Sequence, residues 1–397
     1  MKTVSLIYGY SARNAGDYAI TLGALDILIA SGLKVKLFSR YCRRNKDFWE
    51  SKQSIEARYG QQIELLESPF CLDRTDSLLG TIASYIDGAA SVVGLKRNSE
   101  FKKNLLDTDL ILFNGGNLFR CHSFIDYTRL QALLYPLRIA IKAKKNFSIF
   151  PQSASRLNWS GQRLLLPILK KADIVFFRES ASYNYIHQFI TDKNFKQTID
   201  LAFHIDKKGL KPVERGNKIA ITLRFHTVGD ISYFPNNVIE HIFEHIGYYV
   251  KSLKHEYEFI LVVQTNKDEE KSKDFAKRHN LKLIKSNSPE ELLNIYSSVS
   301  LLIGMRLHSI ILAMSVGTPC YGVFYKQWGL KNPGLMDSFH MPYIMLDENN
   351  DLEKGVGHIK KLLNHRDSIS EKLLQAIVLE REKMISDVKS LISDKRA

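Results

Sequence analysis

The sequence is poor in cysteine for its length. Its 397 residues include only Cys42, Cys71, Cys121 and Cys320, and no two of these stand at the spacing of a metal-binding or redox pair. A chain this long can bury a full core without covalent cross-links. We therefore predict reduced thiols, a cytoplasmic location and no metal site.

Long apolar runs are missing as well. The longest stretch without formal charge, residues 307–325, contains Gly317-Thr318-Pro319, which favours a helix, a turn and a strand over a membrane span. The apolar run at residues 4–8 is too short for a signal peptide. We therefore predict no transmembrane segment.

Acidic residues are outnumbered. The chain has 56 Lys and Arg against 42 Asp and Glu, a net charge of +14. Such a balance favours anionic partners, namely nucleic acid, an acidic membrane face or phosphorylated substrates. No nucleic-acid recognition motif is present, so we expect no nucleic-acid partner. The densest basic cluster, residues 34–46, is either a solvated surface or a contact for anionic lipid headgroups.

Strand-like and helix-like segments alternate through the first half of the chain. Strands are predicted at residues 4–8, 35–38, 109–113, 147–150 and 173–177. Helices are predicted at residues 17–30, with Asp17 as the cap and Gly32 as the stop, at residues 162–171, and from residue 179. This alternation predicts a parallel sheet covered on both faces.

The pattern breaks at residues 207–217 and then resumes. Strands follow at residues 218–223, 259–263, 281–284, 301–303 and 320–324, with helices at residues 289–297 and after residue 307. A last amphipathic helix has apolar positions at Leu374, Ile377, Met384, Val388 and Leu391. We predict an N-terminal domain at 1–206, a linker at 207–217, a C-terminal domain at 218–366 and a terminal helix at 367–397.

The predicted fold class is α/β, with two doubly wound, Rossmann-like domains facing a cleft. Ligands of such domains bind where the parallel strands end. Two polar turns stand at such places, Asn14-Ala15-Gly16-Asp17 and Asn114-Gly115-Gly116-Asn117. Asp17 either serves a substrate hydroxyl, as ligand or base, or only caps the helix. The paired glycines either admit a ligand to the backbone or merely make the turn.

Several cations also follow predicted strands. Arg306 and His308 stand two residues apart where a strand ends and a helix begins, and Ser309 follows them. The helix dipole favours an anion there, Arg offers a planar fork for phosphate or carboxylate, and His can move a proton near neutral pH. Alternatively, the Arg belongs to a structural ion pair beside a core His. Arg178 and Arg224 end two other strands, which suggests a small, multiply charged anion.

Five blocks, taken in order, resemble those of polysaccharide pyruvyltransferases. They are Asn14-Ala15-Gly16-Asp17-Tyr18-Ala19-Ile20; Leu112-Phe113-Asn114-Gly115-Gly116-Asn117; Ala172-Asp173 with Phe177-Arg178-Glu179-Ser180-Ala181-Ser182; Asp200-Leu201-Ala202-Phe203; and Gly304-Met305-Arg306-Leu307-His308-Ser309 with Ala313 and Gly317-Thr318-Pro319. The resemblance implies a fold similar to that of GT-B glycosyltransferases. It also implies phosphoenolpyruvate as donor, no cofactor, and a pyruvate ketal formed on a sugar of a cell-surface glycan, with phosphate released.

The resemblance maps the family's donor-binding and catalytic Arg and His onto Arg306 and His308, and a strand-end Arg of the family onto Arg178. From their positions in the sequence we also expect Arg224 and Ser309 to bind the donor, on the side of the C-terminal domain, and Asp17 to be catalytic together with His308. The acceptor side, in the N-terminal domain, would use Asn14, Gly16, Asn114, Gly115, Gly116 and Asn117. Two features depart from the family pattern: Asn114 replaces a common Gly, and Phe324-Tyr325-Lys326-Gln327-Trp328 replaces a common Tyr-Asp-Pro-Lys.

Two alternatives concern the substrates. A glycosyltransferase of the same architecture would use a nucleotide sugar instead, because fold does not set function. The acceptor is either a free glycan or a lipid-linked saccharide. Residues 78–94 are apolar and small apart from Asp87, which predicts either a helical flap touching the inner membrane or an ordinary packed helix.

Overall fold

The parallel sheet of the N-terminal part has the strand order β3-β2-β1-β4-β6-β7-β8, with β5 paired to β6. The structure, a computed structural model, describes residues 2–72, 77–191, 194–208, 210, 215–227, 232–329, 331–348 and 351–393. The strands are β1 (Thr3–Gly9), β2 (Lys34–Ser39), β3 (Ile63–Leu66), β4 (Leu110–Phe113), β5 (Gly116–Cys121), β6 (Phe147–Leu157), β7 (Val175–Phe177) and β8 (Phe195–Gln197).

Central strand β4 is buried along its whole length, as the apolar run of residues 110–113 requires when helices cover both faces of a parallel sheet. The helices of this part are α1 (Ala15–Ala30), α2 (Lys46–Tyr59), α3 (Leu78–Val92), α4 (Ser99–Leu106), α5 (Phe124–Leu133), α6 (Tyr135–Lys142), α7 (Trp159–Leu169) and α8 (Ser180–His187). The strand order reverses direction between β1 and β4, which marks the switch point of a doubly wound sheet.

The C-terminal part repeats this plan with the order β11-β10-β9-β12-β13-β14, all parallel. Its strands are β9 (Lys218–Thr222), β10 (Glu258–Val263), β11 (Lys282–Lys285), β12 (Leu301–Gly304), β13 (Cys320–Phe324) and β14 (Tyr343–Met345). Its helices are α9 (Asn236–Leu253), α10 (Asn266–His279), α11 (Pro289–Ser297), α12 (Leu307–Ser315), α13 (Lys331–Ser338), α14 (Leu352–Asn364) and α15 (Arg366–Ser393). The switch point of this sheet lies between β9 and β12.

Two compact units divide the chain. The first contains Met1–Ala12, Asp17–Asp206 and Glu380–Ala397, and the second contains Arg13–Gly16 and Lys207–Leu379. The final helix α15 is therefore shared between the units, and the turn at residues 13–16 belongs to the second. Of the expected linker at 207–217, residues 209 and 211–214 lie outside the described residues.

Both units are α/β domains with parallel sheets, so the predicted fold class is confirmed. The helix at 289–297 and the strand at 320–324 have the predicted bounds. Strand β6 is longer than predicted, because it continues through Pro151 to Leu157 with β5 alongside it. In α15, Leu373 is buried whereas the predicted Leu374 is 38% exposed.

The start of α1 corrects the predicted cap. The helix begins at Ala15, and the backbone N–H of Gly16 donates to Asn14 Oδ1 at 3.1 Å. Asp17 consequently lies inside the first turn, where its negative charge faces the positive end of the helix dipole. Asn14 takes the capping part that the sequence analysis gave to Asp17.

Two of the cysteines correct the prediction of reduced thiols. Cys42 and Cys71 form a disulfide, while Cys121 and Cys320 are free and buried. The two bonded residues are 29 positions apart, but β2 and β3 are neighbours in the sheet, and each cysteine follows one of these strands. The sheet therefore brings together thiols that the spacing alone kept apart.

Among the described residues, no helix is long and apolar enough to cross a membrane.

Candidate active site

Two arginines flank the switch point of the second sheet. Arg224 stands two residues after β9, and Arg306 stands two residues after β12. Because β9 and β12 are hydrogen-bonded neighbours, both side chains start from the same carboxyl edge. This is the place where doubly wound domains bind ligands.

Arg306 is held by a buried carboxylate. Its Nε donates to Asp268 Oδ2 at 2.7 Å, and its Nη2 lies 2.5 Å from the same oxygen. The two side chains are only 11% and 3% exposed. Arg306 also occupies the N-cap position of α12 in an extended conformation. The ion pair named above as an alternative thus exists, and it fixes the guanidinium beside the positive end of a helix.

Asp268 was missed in the sequence analysis. It lies in the first turn of α10, directly after β10, and its Oδ1 is 3.3 Å from His226 Nδ1. One carboxylate therefore contacts both an arginine and a histidine. Asp268 follows the end of β10 by five residues. The rule that polar side chains after strand ends are site candidates would therefore have identified it.

Arg224 has an aromatic neighbour. Its guanidinium carbon lies 4.6 Å from the centre of the Trp328 ring, and its Nη2 donates to the carbonyl of Thr227 at 3.0 Å. Trp328 is itself fixed, because its Nε1 donates to the carbonyl of His226 at 2.9 Å. The segment that departs from the family pattern thus supplies the ring on which Arg224 rests.

His308 and Gly16 are in close contact within the second unit. A Cβ atom added to Gly16 would stand 2.3 Å from His308 Nδ1, which leaves room for hydrogen alone. The structure therefore brings the turn of Asn14 and Gly16 to the imidazole, although Gly16 and His308 are 292 positions apart in sequence. Asp17, half-buried, is the next residue along the chain.

Ser309 has a different part from the one predicted. It is fully buried, and its hydroxyl donates to Gln264 Oε1 at 2.5 Å. Gln264 comes directly after β10. The hydroxyl of Ser309 therefore ties α12 to the end of β10 and is not presented to a donor.

Arg178 lies in the first unit, whereas Arg224, Arg306 and His308 lie in the second. Its Nη1 is 2.5 Å from Asp200 Oδ2, and its Nε donates to Ser153 Oγ at 2.6 Å. Burial alone would lower the pKa of this guanidinium, but the charges of Asp200 and Glu179 outweigh it and raise the pKa. Arg178 is thus a charged, ion-paired residue that joins the end of β7 to Ser153 within β6 and to Asp200.

Side chains and backbone of the protein pack closely around the glycine turn after β4. Asn114 is buried, with Nδ2 donating to the carbonyl of Tyr8 at 3.2 Å and Oδ1 accepting from the N–H of Gly115 at 2.9 Å. Gly116 has φ +139°, and a Cβ there would stand 2.4 Å from the Tyr10 hydroxyl. The two glycines therefore make a turn around Tyr10 instead of a cradle for a ligand, and Asn117 is half-buried in β5.

In the described part of the chain, no group of three His, Cys, Asp or Glu side chains is placed to hold a metal ion.

Solved structures of low identity share the fold. A glycosyltransferase from Rickettsia africae matches with 10% identity and a TM-score of 0.61, covering 99% of both chains. A UDP-GlcNAc 2-epimerase from Neisseria meningitidis bound to UDP-GlcNAc matches with 12% identity and a TM-score of 0.56, covering 96% of this chain and 99% of that one. The S. aureus protein MnaA with UDP gives 11% identity and a TM-score of 0.55, covering 98% and 96%. At these identities the likeness shows the fold alone.

The sequence itself carries the assignment to a family. No curated protein matches the chain. The family model described as polysaccharide pyruvyl transferase matches residues 14–326, from the Asn14 turn through the Arg306 and His308 segment to Lys326. This range includes β9 and β12, which form the switch point of the second sheet. The chain is therefore a transferase and belongs to the polysaccharide pyruvyl transferase family.

Proposed function

We propose that the chain transfers the enolpyruvyl unit of phosphoenolpyruvate to a sugar of a surface polysaccharide or its lipid-linked precursor, in the cytoplasm. The product is a pyruvate ketal, and inorganic phosphate leaves. The observation that carries the proposal is the pair Arg224 and Arg306 at one switch point, with His308 two residues further on.

The charges suit a small donor with two anionic ends. Phosphoenolpyruvate carries a phosphate and a carboxylate on the same carbon, C2, and each is matched by an arginine fork. The start of α12 adds backbone N–H groups and the positive end of a dipole. Asp268 keeps the guanidinium plane of Arg306 fixed, so that less rotamer freedom is lost when the donor binds.

The chemistry needs an acid first. His308 donates a proton to C3 of the donor, and the π electrons of the C2–C3 double bond form the new C–H bond. C3 becomes a methyl group, and C2 acquires oxocarbenium character. A sugar hydroxyl then attacks C2. A second hydroxyl then displaces phosphate, whose oxygen carries away the bonding electrons. One hydroxyl proton balances the proton delivered to C3, and the other leaves with phosphate. Two C–O bonds form at C2 and one breaks.

The acceptor hydroxyl needs a group that takes its proton. Asp17 is the proposed base, since Asn14 and not Asp17 caps α1. Asn14 and Gly16 belong to the turn that contacts His308, which supports an acceptor site next to the imidazole. Gly115 and Gly116 shape the turn beside Tyr10 and leave no open space for a sugar, so the proposed acceptor site rests on Asn14, Gly16 and Asp17.

The experiment is a donor comparison. A candidate glycan is incubated with enzyme and either phosphoenolpyruvate or UDP-sugars, and mass spectrometry follows the product. The proposal predicts one added pyruvylidene group and released phosphate with phosphoenolpyruvate only. Sugar transfer from a UDP-sugar would instead support the alternative of a nucleotide-sugar glycosyltransferase. Structures similar to this chain include one with UDP and one with UDP-GlcNAc.

Arg306→Lys gives the site-specific arm of that experiment. Lysine keeps the positive charge but loses the planar fork, so donor KM should rise by about tenfold or more. Lys218→Arg, at an exposed ion pair in the same unit, is the matched control and should leave KM unchanged. Normal donor kinetics in Arg306→Lys would remove Arg306 from the donor site.

A further inference from the structure

Helix α3 exposes its apolar side and buries its small residues. The residues it buries are Ser84, Gly88 and Ser91. The large apolar side chains exposed on it are Leu78, Leu79, Ile82, Tyr85 and Ile86. At 100° per residue these five fall on one stripe, opposite the buried residues. Helix α3 is thus packed through its small residues, but it leaves exposed the apolar stripe that a packed helix usually hides.

Two neighbouring helices extend this surface. Helix α3 packs on α5, and α5 packs on α7. Helix α5 begins with Phe124 and Ile125, exposed by 79% and 77%, and α7 begins with Trp159, exposed by 67%. The backbone N–H of Asn158 donates to the carbonyl of Cys121 at 2.8 Å and so joins the segments before these two helices. We call the exposed apolar residues of α3, α5 and α7 the apolar face.

An exposed apolar surface of this kind marks a contact with a protein or a membrane, and the surrounding charge decides between them. Residues 110–172 contain ten Lys and Arg but one acidic residue, Asp126. Of these ten cations, Arg163 lies in the first turns of α7, whereas Lys142, Lys144, Lys145, Lys170 and Lys171 stand at or just beyond the last turns of α6 and α7. The positive charge near the apolar face therefore comes from Arg163 and from the residues that follow α3. Exposed Lys96 and Arg97 follow α3, and the guanidinium of Arg163 lies 4.4 Å from the Trp159 ring centre.

A cavity of about 530 Å³ opens beside α3 in the same unit. Arg43, Arg44 and Lys96 line it, with side chains 65%, 56% and 43% exposed. Its other polar lining residues include Asp87, which lies 2.9 Å from Lys96 Nζ. All three cations are ion-paired in the structure, Arg43 with Glu67 and both Arg44 and Lys96 with Asp87. Because exposed ion pairs of this kind are weak, headgroup phosphates can replace the carboxylates as partners.

We propose that the apolar face docks on the surface of an anionic lipid bilayer. Leu79, Ile86 and Trp159 enter the boundary between headgroups and acyl chains, while Lys96 and Arg97 pair with headgroup phosphates. Aromatic and aliphatic side chains flanked by Lys and Arg are the pattern of interfacial helices. This docking is separate from pyruvyl transfer and is measured without any donor or acceptor.

The test is flotation of the purified full chain with vesicles. One set contains phosphatidylcholine alone, and the other contains equal parts phosphatidylcholine and phosphatidylglycerol. Three double variants are compared with the unaltered chain: Leu79→Glu with Ile86→Glu, Lys96→Glu with Arg97→Glu, and, as the matched control, Val378→Glu with Leu379→Glu. The control residues are exposed by 53% and 57% on α15, outside the apolar face.

The proposal predicts binding to the phosphatidylglycerol vesicles that falls with added salt, about tenfold weaker binding in the first two variants, and no change in the control. Trp fluorescence should shift to the blue on binding, and Trp159→Phe should remove most of that shift. All substituted side chains are exposed, and circular dichroism confirms that each variant folds. Equal binding to both vesicles, or normal binding by Leu79→Glu with Ile86→Glu, overturns the proposal. A stable dimer that the same variant dissociates would instead assign the face to a second copy.

Discussion

Arg306 and Asp268 form a buried ion pair in which Nε and Nη2 both approach one carboxylate oxygen. The other oxygen of Asp268 faces His226. A single carboxylate from α10 therefore fixes the arginine at the start of α12, and the ends of β9, β10 and β12 are coupled through it.

The first prediction concerns this carboxylate. Asp268→Asn keeps the size but removes the charge that compensates Arg306, and breaking a buried pair costs about 3 kcal/mol of the free energy of unfolding. Because Arg306 loses its fixed orientation, donor KM should rise about tenfold while kcat falls less. Asp274→Asn, on the solvent side of the same helix, is the control and should change neither quantity. A lower donor KM in Asp268→Asn would show that Asp268 competes with the donor instead of positioning Arg306.

The second prediction concerns the contact between Gly16 and His308. An alanine Cβ would stand 2.3 Å from Nδ1 and 2.6 Å from Cγ of the imidazole, so the ring or the turn has to move. A displacement on the order of 1 Å at a reacting group can reduce kcat about 100-fold. Gly216→Ala, where the added atom meets nothing within 4 Å, is the matched control. Unchanged kcat in Gly16→Ala would separate the turn from the chemistry.

A third prediction follows from the disulfide. Titration of the denatured, unreduced chain should find the thiols of Cys121 and Cys320 but not those of Cys42 and Cys71. Reducing a bond that closes a loop of this length should lower the free energy of unfolding by about 3 kcal/mol. Cys121→Ala should leave the effect of reductant intact, whereas Cys42→Ser should abolish it. Four thiols in the unreduced chain would contradict the structure.

The fourth prediction is a pH dependence of stability. Burial, together with the nearby His241, lowers the pKa of His245 to about 4 from the ordinary 6.5. Between these values the unfolded chain binds a proton that the folded chain does not, so stability falls as the pH falls. The loss should amount to about 3 kcal/mol once the pH is below both values. His245→Gln should flatten the fall in Tm between pH 6.5 and 4, and His255→Gln, at an exposed position, should not. If Tm falls as steeply with pH in His245→Gln as in the unaltered chain, the pH dependence comes from other groups.

Much of the fold follows from sequence because its causes are local. The apolar runs at residues 110–113 and 320–324 have the length and flanking turns of buried parallel strands, and the structure places strands there. The sequence predicts too short a strand β6, because Pro151 usually ends a strand. The structure continues it by pairing with β5 and, at Gln152, with β7. The start of α1 was misjudged because both Asn14 and Asp17 are good capping residues and a single hydrogen bond decides between them.

The site was harder to predict, since it depends on which strands are neighbours. Arg306 and His308 were found from their place after a strand, and that place is confirmed. The partner of Arg306 was not found, because Asp268 precedes it by 38 residues and only the order β10-β9-β12 brings them together. The same holds for the disulfide between Cys42 and Cys71 and for the packing of Ser309 on Gln264. The spacing of residues along the chain does not determine which strands are neighbours in a sheet.

The central claim is that phosphoenolpyruvate is protonated at C3 and becomes a ketal. The direct measurement is the reaction in deuterated water, with mass spectrometry of the methyl group of the product. The account predicts one deuterium in the pyruvyl methyl group with the unaltered chain. It also predicts almost no labelled product with His308→Gln, although that variant still binds the donor. The imidazole proton of His308 exchanges with deuterated water, so a product without deuterium in its methyl group would contradict proton transfer from His308. Normal labelling by His308→Gln would show that the imidazole is not the acid.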